Sequence, residues 1–211
     1  MVDIHRISAG NVNCYIVVDN DKAILIDTGR KRYRKKILDK CKEHHVSLIV
    51  LTHGHMDHCQ NAAYLANALK IPVAMSKKDI NMIPDNRKQK MSAKTFLGKM
   101  VLLVSLSSFE KDTLDTFEPM VYLQNGDSLN EYGVDVKVVE LPGHTKGSIG
   151  LAIEDKLFVG DALMNMFYPT ISMLYTDEEK MLESAKCIGE MGEKTIYFGH
   201  GKPKRNRKWV K

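Results

Sequence analysis

Residues 52–58 read THGHMDH, which places three imidazoles and a carboxylate within six consecutive positions. Side chains of these two types bind divalent cations or carry protons near neutral pH. In an extended segment, residues i and i+2 project to the same side, so His53 and His55 can address one ion together. On a helix the same pair would point roughly 200° apart. Gly54 between them lets the backbone turn tightly with no Cβ in the way. Asp57 and His58, further round the bend, face a neighbouring position. The competing reading is a polar loop that is merely rich in histidine, and the HxHxDH spacing weighs against it.

His144 in PGHTKGS and His200 in FGHG share the setting of His53, His55 and His58. Each lies at or just beyond the end of an inferred strand, and glycine adjoins four of the five. Loops at strand ends are where a rigid sheet can hold side chains converging on one point. With His144 and His200 included, the donors outnumber what one open catalytic zinc site needs. Two adjacent ions explain the surplus, and so does a single ion with hydrogen-bonded supporting residues.

The elements that must position these residues follow from periodicity and turn chemistry. VNCYIVV and AILID flank the turn-rich DNDK, so a β-hairpin is expected. The segment 30–43 has Tyr33, Ile37, Leu38 and Cys41 on one helical face. VSLIVLT is a near-continuous apolar run, a buried strand that delivers the chain into THGHMDH. QNAAYLANALK reads as a helix and IPVAM as a short strand. VDVKVVEL is a strand leading to PGHTKGS, IGLAI and KLFVGD form a hairpin around Glu154 and Asp155, and TIYFGHG ends a strand in His200. Residues 177–191 read as a helix, with Thr176 and Glu179 at capping-box spacing. The second half thus repeats the layout of the first, and one domain over 1–211 is expected. Residues 77–120 stand apart as a helical insertion. Its apolar 95–109 part could pack into the core, close over a site, or meet a second copy of the chain in a homodimer.

Five motifs in one order, LIDTG (25–29), THGHMDH (52–58), PGHTKGS (142–148), VGDAL (159–163) and FGHG (198–201), resemble those of the metallo-β-lactamase fold superfamily. The resemblance implies an α+β fold, an αββα four-layer sandwich with the site at one edge between two sheets. Carried over position by position, it implies that His53, His55 and His144 hold one ion and that Asp57, His58 and His200 hold a second. It also implies that Asp161 bridges them and that Asp27 supports them without being a ligand. An aspartate at position 161 is similar to the glyoxalase II, lactonase and nuclease branches and unlike the true β-lactamases.

Two divalent ions, zinc first and iron or manganese otherwise, would hold a bridging water and bring its pKa towards about 7. The expected enzyme is then a hydrolase that uses metal-bound hydroxide on a small thioester, ester or lactone. Asp57 is the catalytic candidate, orienting the nucleophile and passing on its proton. No serine or cysteine nucleophile is required, and Cys59 reads as a packed residue at a helix start. After Asp161 the run ALMNMFYPT replaces the glycine-rich stretch of glyoxalase II, and the glutathione-binding extension of that branch is missing. Tyr168 and Lys202 are the candidate substrate contacts by position. A phosphodiesterase or RNase-like hydrolase, or an iron-dependent redox enzyme of the persulfide dioxygenase type, are the alternatives.

Composition bounds these readings. The 211 residues are 44% hydrophobic and 27% charged, ordinary for a globular chain. The net charge of +5 comes largely from the last ten residues, KPKRNRKWVK, and the first 201 sum to −1. That tail reads as a flexible solubilising end in preference to a phosphate grip, and RKRYRKK at 30–36 as the solvated face of a helix. Neither alternates with aromatic residues as a single-strand groove would, so nucleic acid is a poorer partner than a small molecule. No apolar stretch approaches the ~20 residues of a membrane span. No signal peptide is evident and the four cysteines are scattered, so a cytoplasmic location is expected.

Overall fold

Strand parity sorts the side chains of the first half into two different cores. The computed structural model describes residues 2–111 and 113–210. The first sheet has six strands in sequential order: β1 (Asp3–Ala9), β2 (Val12–Asp19), β3 (Lys22–Ile26), β4 (Val46–Val50), β5 (Val73–Met75) and β6 (Val121–Tyr122). β1 to β3 pair antiparallel and β3 to β6 parallel. Cys14, Ile16, Leu25, Ile49 and Met75 face one core, while their neighbours Tyr15, Val17, Ile24, Val50 and Ala74 face another. Both faces are therefore covered, which is why β4 reads as a continuous apolar run. The first core is closed by α1 (Arg34–Glu43) through Ile37 and Cys41. The short α2 (Met56–Cys59) adds Cys59 to it, and α3 (Ala62–Leu69) adds Leu65.

The second sheet begins with β7 (Lys137–Glu140), β8 (Ile149–Ile153) and β9 (Lys156–Gly160). A two-stranded ribbon of β10 (Leu163–Met164) and β11 (Thr170–Ile171) follows. β12 (Thr195–Phe198) and β13 (Lys204–Arg205) complete the sheet in the order β13-β12-β9-β8-β7. Val138, Leu151 and Phe158 meet the inner face of the first sheet, and Leu157, Val159, Ile196 and Phe198 form a third core on the far side. α4 (Phe96–Lys111) lies between β5 and β6 along the chain, and α5 (Glu178–Glu190) closes the third core with Ala185 and Ile188. Helix, sheet, sheet and helix stack in that order. No helix among the described residues is long and apolar enough to cross a membrane.

Four expectations change. β1 has no clear strand signature because Asp3, His5 and Arg6 obscure its alternation; as an edge strand it can expose them. α5 is capped by Asp177, whose carboxylate accepts from the Lys180 amide at 3.1 Å. Thr176 instead donates its hydroxyl to the Gly143 carbonyl at 3.1 Å, so no capping box forms. The basic tail is ordered on the sheet: β13 pairs with β12, and the Trp209 ring packs edge-on against Phe198 at 6.1 Å. Asn206 also donates to the carbonyls of Ile188 and Gly192 at the end of α5, so this segment serves as a cap.

The insertion, finally, divides by role. Its start is two 3-10 turns, Lys77–Met82 and Asn86–Lys88, carrying the buried Asp79 and Asn86. Leu114 and Phe117 pack onto the first core, whereas no residue of α4 belongs to any of the three cores among the described residues. α4 walls a cavity instead, and its start is tied down by the paired backbones of Ser92 and Tyr175. Phe96 and Leu103 stay in water.

Candidate metal centre

The loops that carry the histidines leave the C-terminal ends of β4, β7, β9 and β12, from both sheets, along one edge. β4 delivers His53 and His55, then turns into α2 with Asp57 and His58. The β7–β8 loop brings His144, Asp161 follows β9 directly, and His200 follows β12. One donor atom each from His53, His55 and His144 lie within 4.8 Å of one another. The same holds for His53, His58 and Asp161, and for Asp57, His58 and His200. Three overlapping triads sharing His53 and His58 form one continuous group.

Each imidazole but one is held through Nδ1 so that Nε2 turns inward. His58 Nδ1 donates to Asp27 Oδ2 at 2.8 Å. His144 Nδ1 donates to the Leu174 carbonyl at 2.8 Å, and His200 Nδ1 to the Asn11 carbonyl at 2.7 Å. Asp27 accepts the Thr52 hydroxyl at 2.9 Å, which leaves the Thr52 oxygen to accept from His53 Nδ1, also at 2.9 Å. One carboxylate therefore sets two tautomers, a role expected of groups that orient metal ligands. His55 is the exception, with Nδ1 facing His144 Nε2 at 2.9 Å. Asp161 is central, its oxygens 3.2 Å from His200 Nε2, 3.5 Å from His58 Nε2 and 3.7 Å from His144 Nε2.

Electrostatics divides the group. Burial, with the neighbouring imidazoles, pushes His53 well below the usual histidine range, and His55 down to about 3. Burial lowers His144 as well. It pulls in the same direction at His58 and His200, but the facing carboxylates, Asp161 foremost, outweigh it and hold both above the ordinary value. Burial would raise Asp57 and Asp161, yet His58 and His200 hold both carboxyls low. The centre thus has His53, His55 and His144 favoured as neutral imidazoles on one side and, on the other, the Asp57 and Asp161 carboxylates facing His58 and His200.

That donor set fits divalent ions of the zinc and iron type. Nε2 of His53, Nε2 of His58 and Oδ1 of Asp161 are buried and find no hydrogen-bond partner within the protein. Buried polar atoms in folded proteins are nearly always satisfied, and a cation would satisfy all three. Space is kept for such a group by the glycines. A Cβ on Gly199 would collide with Asp161 Oδ1 and stand 2.7 Å from His58 Cε1. At Gly54 the requirement is close approach, since a Cβ there would lie 2.9 Å from the Met82 Cβ, and φ is not positive as a tight turn would demand.

Several residues that position the centre carry no signature in the sequence. Asp79, fully buried, accepts from the Gly54 amide at 3.0 Å, the Gly147 amide at 2.7 Å, the Thr145 hydroxyl at 2.6 Å and the Gln89 side chain at 2.7 Å. It locks the THGHMDH loop to the PGHTKGS loop. Asn86 accepts from the Met56 amide at 2.6 Å and donates to the Gly54 carbonyl at 2.9 Å, bracing the start of α2. Asn13 and Tyr15 both donate to the Phe198 carbonyl, clamping the two sheets beside His200.

A cavity of about 300 Å³ opens onto His55, Asp57, His144, Asp161 and His200. Its other walls are mainly apolar, from Met91, α4, Met164, Met166, Phe167 and Leu174. Neither Tyr168 nor Lys202 lines it. Both are exposed, and the neighbouring Phe167 takes the place expected of Tyr168. The short ribbon decides which of the two side chains faces in, and two-residue strands leave no periodicity to read.

A family profile described as the metallo-beta-lactamase superfamily matches residues 7–200. Hydroxyacylglutathione hydrolase 1 of Vibrio vulnificus is 31% identical over 187 residues, covering 88% of this chain and 60% of that protein. The chain therefore spans about 60% of that relative's length. Hydroxyacylglutathione hydrolase GloC of Haemophilus influenzae is 28% identical over 208 residues, covering 95% of this chain and 90% of that one. Among solved structures, the BLEG-1 B3 metallo-beta-lactamase superposes with a TM-score of 0.76 at 24% identity, covering 96% of this chain and 94% of that one. TTHA1623 in a di-iron-bound form gives 0.71 at 21%, covering 95% and 94%. At these identities the solved structures establish shared fold.

Proposed function

The chain belongs to the metallo-beta-lactamase superfamily, and from that premise we propose that it is a dinuclear metal-dependent hydrolase of a small thioester, ester or lactone. The observation that carries this reading is the trio of overlapping donor triads opening onto one small, largely apolar cavity. His53, His55 and His144 would hold one ion and Asp57, His58 and His200 the other, with Asp161 a further donor beside His53 and His58. Ions so held would acidify water and polarise the substrate carbonyl. Asp57 remains ionised and lines the cavity, so it can orient the attacking water and accept its proton. The likeness to two hydroxyacylglutathione hydrolases supports acyl transfer to water over phosphodiester cleavage.

Metal analysis of protein purified without added metal tests the centre. Two divalent ions per chain, zinc foremost, are expected. A single iron with oxygen consumption would overturn the proposal in favour of redox chemistry. A panel of thioesters, lactones and phosphodiesters then names the bond. Asp57→Ala should abolish turnover with the circular dichroism spectrum unchanged, and unaltered activity would refute the mechanism.

A further inference from the structure

The cavity lining has two chemically distinct parts. His55, Asp57, His144, Asp161 and His200 make up the reactive part. In the rest, among the described residues, Arg30 is the one charged residue, beside the neutral Asn11 and Ser105, and nine side chains are apolar. Met91, Met164 and Leu174 are buried and form its inner surface. α4 contributes Leu97, Met100, Val101 and Val104, at the three-and-four spacing of a single helix face. The rim is apolar yet wet, with Val104 70% and Phe167 57% exposed.

These features select among substrates. Beyond the metal centre, a charged peptide or a polyanion would meet one arginine and a predominantly apolar wall. An acetyl group would leave Val104 and Phe167 in water. An alkyl chain covers them, and burial of apolar surface is what drives its binding. Four of the nine apolar residues are methionines, unbranched and adaptable enough to follow a flexible chain. The volume sits at the small end of ligand pockets, which favours one short chain over a bulky fused ring system.

We propose that the acyl part of the substrate is an uncharged aliphatic chain lying along the Leu97–Val104 face of α4 and the Met164–Phe167 segment, its carbonyl at Asp57 and Asp161. α4 is then the specificity element of the enzyme. This rests on the hydrolytic reading above, and its test is arranged so that the two can fail separately.

Aryl thioesters and esters from acetyl to hexanoyl are assayed on the metal-loaded protein. kcat/KM should rise roughly fourfold per methylene, the ~0.8 kcal/mol of a buried CH2. Val104→Asp should cut that dependence to half or less. Leu103→Asp places the same charge one residue away, at a side chain outside the lining, and should keep the wild-type dependence. In parallel, octanamide is titrated into protein labelled with 13C at its methionine methyls. Met91, Met100, Met164 and Met166 should shift, and Met75 and Met120 should not. Hydrolysis independent of chain length, with no methyl shift, overturns the proposal. Methyl shifts at the four cavity methionines with no ester hydrolysed would uphold the aliphatic cavity and defeat the hydrolase assignment instead.

Discussion

At the residue scale, the centre depends on hydrogen bonds that hold imidazoles in one tautomer. Asp27 holds His58 directly and His53 through Thr52. Its backbone has φ of 59°, a conformation that asparagine tolerates better than most residues. Asp27→Asn therefore changes the chemistry with little backbone strain. An amide NH2 facing His58 Nδ1 moves the histidine proton to Nε2, the atom directed at the centre. Metal affinity should fall about 10–100-fold, read by competition with a chromophoric chelator. Wild-type affinity in this variant would show that Asp27 does not act on the ligands. The chemistry-bearing residues were legible because their types are rare and their spacing matches extended backbone. Asp79 was not: it sits in the polar run KKDIN, where nothing local distinguishes a buried hub from a surface carboxylate. Only the approach of two loops distant in sequence gives it four donors.

At the element scale, Asp79 turns the first part of the insertion into a brace. Asp79→Ala would strip acceptors from the Gly54 and Gly147 amides, the Gln89 amide and the Thr145 hydroxyl. Unsatisfied buried donors cost about 1–3 kcal/mol each and do not add simply. A loss of about 3 kcal/mol or more is expected in denaturant unfolding, with Asp79→Asn costing less; a loss under about 1 kcal/mol would contradict the bracing role. α4 is the opposite case. None of its described residues belongs to the three cores, so its amides should exchange with deuterium sooner than those of α1, α3 and α5. Exchange as slow as in α5 would show that it is rigidly held. Apolar composition identified α4 as unusual but could not say what it covers, because a helix apolar most of the way round has no preferred face to read.

At the scale of the whole molecule, layer order was implied by the resemblance of five ordered motifs to a known fold superfamily, whereas edge pairing was not legible. β1 and β13 are edge strands rich in charge, stabilised by partners that a linear sequence does not reveal. Ligand removal should be felt globally, since every donor triad draws from both sheets. Ions bound tightly enough to stay saturated stabilise by several kcal/mol. For a chain of this size, stripping them with a chelator should lower Tm by about 10 °C or more, reversibly on adding zinc. An unchanged Tm would mean the triads hold no ion.

That same two-sheet origin makes the centre a clock. An ion gripped by β4 on one side and by β7, β9 and β12 on the other cannot depart without some slackening along that seam. The exchange rate of isotopically labelled metal would then set a lower bound on how often the seam slackens. A measurement made on the metal alone would time a breathing motion of the protein itself.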